Sequence, residues 1–429
     1  MLSTDVSDHK QRALQAAIQQ GLLDNNNPLL ALVNWQGIFD TVQKLQAAFP
    51  SGVRHCFAVK SNPYLGILSL LREAGMGAEV ASSPELELVL KAGFEAFQII
   101  FDAPVKTPQE IHRALSLGID FNIDNFQELQ RVADFRQNHA SASNIGFRIN
   151  PQIGAGKVES TSTATLTSKF GIGLNDPGNR ERIIQACEQY AWINTLHVHV
   201  GSVACPVSLM TQGVSAVYEL AETINKKLAT PQIKHLDIGG GLPVDFSQDG
   251  DQPSFQEYAH ALAEALPQLF NGRYQLTTEF GRAVMAKNAM TVGRVEYTKT
   301  TGNRAIALTH IGVQTLVRTV YEPEYWKRRI NAFDRLGNLK QDDEIEQDIA
   351  GPACFSGDLI ARNRRMPRLQ AGDYVLVHDT GAYHFSNHYQ YNALPRLPVY
   401  AYRILADNTV KFDCISKGQS IQNVIDDYS

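Results

Sequence analysis

Cysteine is scarce in this chain of 429 residues, with five in all: Cys56, Cys187, Cys205, Cys354 and Cys414. The number is odd, the spacing is wide and no Cys-x-x-Cys occurs, which speaks against a disulfide framework and against a cysteine-based zinc site. A reducing, cytoplasmic setting is expected. Basic charge is not in excess either: 39 Lys and Arg stand against 44 Asp and Glu, a net charge of −5. Neither nucleic acid nor an anionic membrane would attract such a surface in general, so any anion site has to be built locally. No stretch approaches the ~20 apolar residues of a membrane span. The first ten residues lack a basic segment followed by an apolar one, so no targeting leader is expected. What is present is an ordinary globular composition, 44% hydrophobic and 19% charged, long enough for about two domains.

The organisation shows in a rhythm. A helix is predicted around 11–20, a turn at 24–28, a short strand at 29–33 and a helix at 35–49. Apolar, strand-like runs then recur at 53–59, 77–81, 97–102, 118–122, 144–149, 193–200, 233–238 and 274–279, with helix-like segments between them. Eight strands alternating with helices predict an α/β fold, a closed (β/α)8 barrel of the TIM type rather than an open doubly wound sheet. After Arg282 the pattern changes to strand-like runs at 288–296, 304–310, 373–378 and 397–405 without regular helices, which predicts a mainly β domain. The expected division is 1–40, an N-terminal helix and strand, the strand joining the β domain; 41–285, the barrel; and 286–429, the β domain. Residues 154–168, rich in Gly, Ser and Thr, and the charged stretch 322–348 read as loops, either lids or plain surface excursions.

Several strings place chemistry at the C-terminal ends of the barrel strands. The run Phe57-Ala58-Val59-Lys60-Ser61-Asn62-Pro63 is a buried strand that stops on a lysine. A desolvated lysine loses its charge near neutrality and can form a Schiff base; the alternative is a lysine reaching water along its stem. In Leu196-His197-Val198-His199-Val200-Gly201-Ser202 the alternation puts both histidines on one side of a strand. A ring-stacking platform or proton donor fits them. A metal pair competes, but no nearby carboxylate or third histidine completes a ligand set, so no metal is expected. Gly239, Gly240 and Gly241 follow the seventh strand, where this barrel commonly binds phosphate, although three glycines are also a tight turn. Thr278-Glu279-Phe280-Gly281-Arg282 ends the eighth strand with a carboxylate and a guanidinium, suited to a pyridinium nitrogen and a phosphate or to a plain salt bridge. In the β domain, Gly351-Pro352-Ala353-Cys354-Phe355-Ser356-Gly357-Asp358 and Asp379-Thr380-Gly381-Ala382-Tyr383 have the Gly and Pro of turns beside a Cys and a Tyr that turn chemistry leaves unexplained.

Taken together these strings resemble the ornithine/diaminopimelate decarboxylase family, the fold type III pyridoxal-phosphate enzymes that join an alanine-racemase-like barrel to a C-terminal β domain. The resemblance spans about residues 28–405 and its pattern is nearest to diaminopimelate decarboxylase. It implies pyridoxal 5′-phosphate as cofactor, with Lys60 as the Schiff-base lysine and Glu79 beside it. It further implies that His199 stacks on the ring, Arg148 lies near the ring oxygen, and Glu279 bonds the ring nitrogen. Ser202, Gly239, Gly240, Gly241, Gly281, Arg282 and Tyr383 would hold the cofactor and its phosphate. Cys354 matches the cysteine that the family delivers from a partner subunit, so a homodimer with shared active sites is implied, Cys354 serving reprotonation of the substrate carbon. In related racemases an arginine faces the ring nitrogen; a carboxylate there favours decarboxylation.

Departures from the pattern bear on the substrate. The family carries an acidic residue after the cysteine, which reads a distal amino group; here it is Phe355. A phenyl ring cannot accept that hydrogen bond, and burying an unpaired ammonium against it costs several kcal/mol. Arg318, with Tyr321 after it, resembles the arginine that receives a distal carboxylate, although the tyrosine comes one residue early. Arg318, Tyr321, Phe355, Asp358 and Tyr383 are the expected substrate contacts. Smaller departures are Glu79 in place of aspartate, Phe280 in place of proline and Val203 in place of glutamine. The expected activity is decarboxylation of a small-molecule amino acid, specialised or modified, with a distal carboxylate and no free distal amine. The alternatives are meso-diaminopimelate decarboxylase, an amino acid racemase, or a catalytically inactive regulator.

Overall fold

The alternating apolar runs become two separately packed units in the computed structural model, which describes residues 2–156, 158, 161–250 and 253–429. One unit comprises Phe39–Val244 and Asp251–Val284; the other comprises Met1–Ile38, Asp245–Gly250 and Met285–Ser429.

The first strand of the chain, β1 (Leu29–Asn34), belongs to the second unit. The first unit is a barrel of eight parallel strands: β2 (Arg54–Ala58), β3 (Gly77–Val80), β4 (Ile99–Asp102), β5 (Asp120–Ile123), β6 (Ile145–Asn150), β8 (Ile193–His197), β9 (His235–Asp237) and β10 (Gln275–Glu279). The two-residue β7 (Ile172–Gly173) only extends the end of β6. The ring closes because β10 pairs with β2, Glu279 opposite Cys56. All eight predicted strands are present. They are short and almost wholly buried, as strands of a parallel sheet enclosed on both faces must be, and helices such as Pro108–Leu117 bury one apolar stripe against them. That helix begins on a capping box from Thr107 and Glu110, which satisfies backbone donors otherwise left open.

One consequence concerns the histidines. Strand pairing stops at His197, so His199 lies beyond the ladder rather than in it. Phe280, where the family has proline, is buried among Phe255 at 5.2 Å, Tyr258 at 6.1 Å and Phe49 at 6.4 Å.

The second unit is a mainly β sheet built from β1, β11 (Ala289–Thr301), β12 (Arg304–Thr309), β13 (Ile330–Phe333), β14 (Glu344–Ala350), β15 (Leu359–Pro367), β16 (Tyr374–His378), β17 (Val399–Ile404) and β18 (Val410–Ser416). As predicted, the early strand joins it: β1 lies between β11, antiparallel, and β17, parallel. The helix Asp8–Gln19 buries Ala13, Leu14 and Ala17 in the same cluster as Leu30, Leu32, Met290 and Val292. Three expectations are corrected here. Residues 322–348 are not a loop, since they hold β13 and the start of β14. A helix, Val313–Tyr321, interrupts the β run. Strands β15 and β18 were also unforeseen. The polar sequence of β15 carries no alternation, and pairing across the sheet forms it, whereas β18 does alternate, Val410-Lys411-Phe412-Asp413-Cys414, a strand signal that reading the sequence missed. Among the described residues no helix is long and apolar enough to cross a membrane.

Candidate active site

In the barrel unit the site residues sit at the C-terminal strand ends, each placed by the strand before it. After β2 the chain makes a single 3₁₀ turn, Val59–Ser61, closed by Ser61 Oγ donating to the Ala58 carbonyl at 2.8 Å. That turn lifts Lys60 off the strand. Its side chain is 43% exposed, and Nζ donates to Glu79 Oε2 at 2.5 Å. Of the two readings of this lysine, the one that reaches water fits: Lys60 is a half-open amine with a buried carboxylate as counter-ion. Burial holds the Glu79 carboxyl above the ordinary range, more strongly than Lys60 draws it down.

Arg148, from β6, forms a buried ion pair with Asp102 at the end of β4 and lies over the Phe170 ring at 4.4 Å. His199 accepts the Gly240 N–H on Nδ1 at 3.2 Å, so in its neutral form the proton is on Nε2. Burial, then Arg148 and Lys60, keeps that ring well below the usual histidine range. His197 behaves oppositely. It is completely buried, with Asp237, Asp102 and Glu279 at 3.3, 3.6 and 3.8 Å from its ring nitrogens. Those three carboxylates overcome its burial and raise it well above the usual range. The premise that no carboxylate stands near this histidine is thus corrected. Asp102 and Asp237 are the residues that reading the sequence missed. Each is the last residue of a barrel strand, the one signal available.

The three glycines make a cradle of bare backbone. A Cβ on Gly240 would lie 2.0 Å from the Glu279 carbonyl oxygen, and one on Gly241, where φ is +92°, 1.7 Å from that of Gly201. Beside them Arg282 begins the short helix Arg282–Met285 and directs Nε and Nη2 to Ser202 Oγ at 3.4 and 3.5 Å. Gly281 packs against the Lys60 turn at Ala58 and Ser61. Glu279 is buried, and Oε1 makes no hydrogen bond among the described residues. Burial, then Asp237, pushes its carboxyl well above the ordinary range. An exposed amine, a neutral imidazole, an anion cradle with a guanidinium and an orphaned carboxyl suit a flat aldehyde that carries a phosphate and a basic ring nitrogen.

In the second unit Arg318 lies half-buried on the helix Val313–Tyr321, its guanidinium over Trp326 at 4.9 Å and Tyr383 at 5.0 Å. It makes no ion pair among the described residues, and burial lowers its pKa. Phe355 stacks on Tyr321 at 6.0 Å and meets Tyr391 edge-on at 5.3 Å. Cys354 is exposed, its N–H donating to Asn392 Oδ1 at 2.7 Å. Asp358 faces inward, accepting the N–H groups of Val313 and Ala353 at 2.7 and 2.8 Å, so its carboxylate fastens this loop to the helix.

Residues 36–286 match the family model of the pyridoxal-dependent decarboxylases, pyridoxal binding domain, and the chain belongs to that family. It is an amino acid decarboxylase that uses pyridoxal 5′-phosphate. The particular relatives are diaminopimelate decarboxylases. That of Vibrio cholerae is 31% identical over 80% of this chain and 79% of its own, and that of Aquifex aeolicus 28% identical over 86% and 84%. The structure of diaminopimelate decarboxylase from Helicobacter pylori, complexed with L-lysine, superposes with a TM-score of 0.82 at 26% identity, covering 96% of this chain and 99% of that one.

Proposed function

We propose that the substrate is an amino acid whose side chain ends in a carboxylate, or in a conjugated arm bearing one, with no free distal amine. One observation carries this reading: the position after Cys354, where the family resemblance implies an acid, holds the stacked Phe355 ring, while the Arg318 guanidinium in the same unit makes no ion pair among the described residues. A desolvated guanidinium flanked by rings has donors to give to an anion and repels a cation.

In this reading the site residues take the roles that the family resemblance implies. Lys60 Nζ binds the cofactor aldehyde, and Glu79 keeps that amine oriented. Ser202, Arg282 and the glycine cradle would take the phosphate. His199, fixed by the Gly240 N–H, lies against the ring, with Arg148 near the ring oxygen. Glu279 holds a proton at the ring nitrogen. Bound there, pyridoxal phosphate supplies an electron sink for the pair left when CO2 departs. Cys354, from a second copy of the chain, returns a proton to the substrate carbon, which makes a homodimer part of this reading. Five free cysteines fit a cytoplasmic enzyme.

The test is CO2 release from the protein with added pyridoxal phosphate across a panel of amino acids, with Lys60→Ala and Phe355→Glu beside wild type. The expected result is turnover of a carboxylate-ended or conjugated amino acid, abolished in Lys60→Ala, and none of ornithine or diaminopimelate. Turnover of diaminopimelate by the wild type would sink the specialised reading and place the chain with its relatives. Exchange of the α-hydrogen without CO2 would indicate a racemase.

A further inference from the structure

Two histidines two residues apart have surroundings that push them in opposite directions: three carboxylates crowd His197, whereas His199 is buried beside Arg148 and Lys60. Both ring nitrogens of His197 face carboxylate oxygens, at 3.3 to 3.8 Å, and neither makes a geometrically formed hydrogen bond among the described residues. Glu79 on β3 and Arg148 on β6 are the other ionised groups close by, while the Cys56 thiol on β2 is pushed up to about 12 by burial and stays protonated. Lys60 answers Glu79, and Arg148 answers Asp102. Asp237 and Glu279 share His197 as the cation between them, and Arg54, at the N-terminal strand ends, also acts on Asp237. An imidazole with acceptors on both sides is most stable with an N–H on each.

The far side of this cluster opens on a cavity. Asp237 lines a polar cavity of about 100 Å³ at the N-terminal strand ends, together with Arg54, Asp120, Asn122 and His235. Its Oδ2, which has no hydrogen bond among the described residues, would be satisfied by water there.

The geometry points to His197 as a positioning residue: an imidazolium, held by Asp102 and Asp237, that sets the charge of Glu279 and exchanges its proton through Asp237 with the cavity at the opposite end of the barrel from Lys60. This rests on the reading of Glu279 as the partner of the ring nitrogen. It gives that carboxylate a source of charge balance independent of the substrate mouth.

The test uses the holoenzyme labelled with ¹⁵N-histidine. One of the 12 histidines should keep both ring nitrogens protonated at about pH 8.5, roughly two units above an ordinary histidine midpoint, and that signal should vanish in His197→Gln. The pH midpoint of the cofactor's visible absorbance should rise by about one unit or more in His197→Gln, because loss of the cation lets Glu279 and the ring nitrogen keep their proton longer. Adding Asp237→Asn removes one charge of the other sign and should reverse most of the shift. Every histidine neutral or metal-bound at that pH, or an unmoved midpoint in His197→Gln, overturns the proposal. If His197→Gln does not fold, the wild-type nitrogen spectrum decides alone. Failure of the Glu279 reading is separable: Glu279→Ala would then leave the absorbance titration unchanged, whereas an inert His197 beside a correctly placed Glu279 leaves only Glu279→Ala with an effect.

Discussion

Arg318 is a cation that has found rings instead of a carboxylate. Cation–π contacts of the kind it makes with Trp326 and Tyr383 are worth about 0.5–2 kcal/mol each and leave its N–H donors with capacity for an anion. A charge-assisted hydrogen bond from it to a substrate carboxylate would add about 1.5–3 kcal/mol. Arg318→Gln is therefore expected to raise KM for the accepted substrate by about 10- to 100-fold with kcat little changed, measured by CO2 release. At this scale much of the site was legible, because Lys60, His199, Glu279 and Arg282 each stand in a local string with its own chemistry. Asp102 and Asp237 were not. They belong to strands far from His197 in sequence, and only closure of the barrel brings three carboxylates onto one imidazole.

Among the elements, the loop after β9 is the one with least room to change. Its backbone passes so close to Gly201 and Glu279 that side chains are excluded. Gly241→Ala would force the loop off its present path, since a real Cβ cannot sit 1.7 Å from a carbonyl oxygen and the φ of +92° is unfavourable to any L side chain. The expected outcome is at least a tenfold loss of pyridoxal phosphate affinity with the far-ultraviolet circular dichroism unchanged, read by absorbance titration of the apoprotein. The barrel strands could be read in the sequence because strands enclosed on both faces appear as unbroken apolar runs. The sheet of the other unit was half legible. Its β14 opens Glu-Ile-Glu-Gln and β15 contains Arg-Asn-Arg-Arg, and such segments pair because a neighbour is there, not because their own pattern demands it.

The molecule as a whole should weaken in mild acid. His55, buried with Nδ1 2.8 Å from Thr278 Oγ1, is lowered by burial to about 4, and His378 is also held well below the ordinary value. In the unfolded chain both take a proton near pH 6.5. Between that pH and about 4 the unfolded state therefore binds more protons, and stability rises with pH by up to about 1.4 kcal/mol per unit for each such histidine. His197, raised instead of lowered, is protonated in both states across this window and contributes no slope there. Urea unfolding at a series of pH values from 7 to 4.5 should show the loss, and His55→Gln should reduce its slope by one proton. Glu79 and Glu279, raised by burial, hold a proton in the folded state and oppose this slope. The test of the neutral ring is therefore the difference between wild type and His55→Gln: no difference would mean that His55 is not neutral in the folded protein.

The place of β1 in its sheet has a further consequence, one of timing. It is enclosed by β11 and β17, which begin at Ala289 and Val399. On a ribosome β1 is made first of the three and waits through about 250 residues of further synthesis, tens of seconds at roughly 5–20 residues per second, before either neighbour exists. The barrel strands leave the tunnel during that wait with all their partners in hand. A nascent chain of this protein thus carries an apolar, unpaired strand throughout that wait, and the helix Asp8–Gln19, amphipathic and just ahead of it, belongs to its eventual core and is already available to shield it.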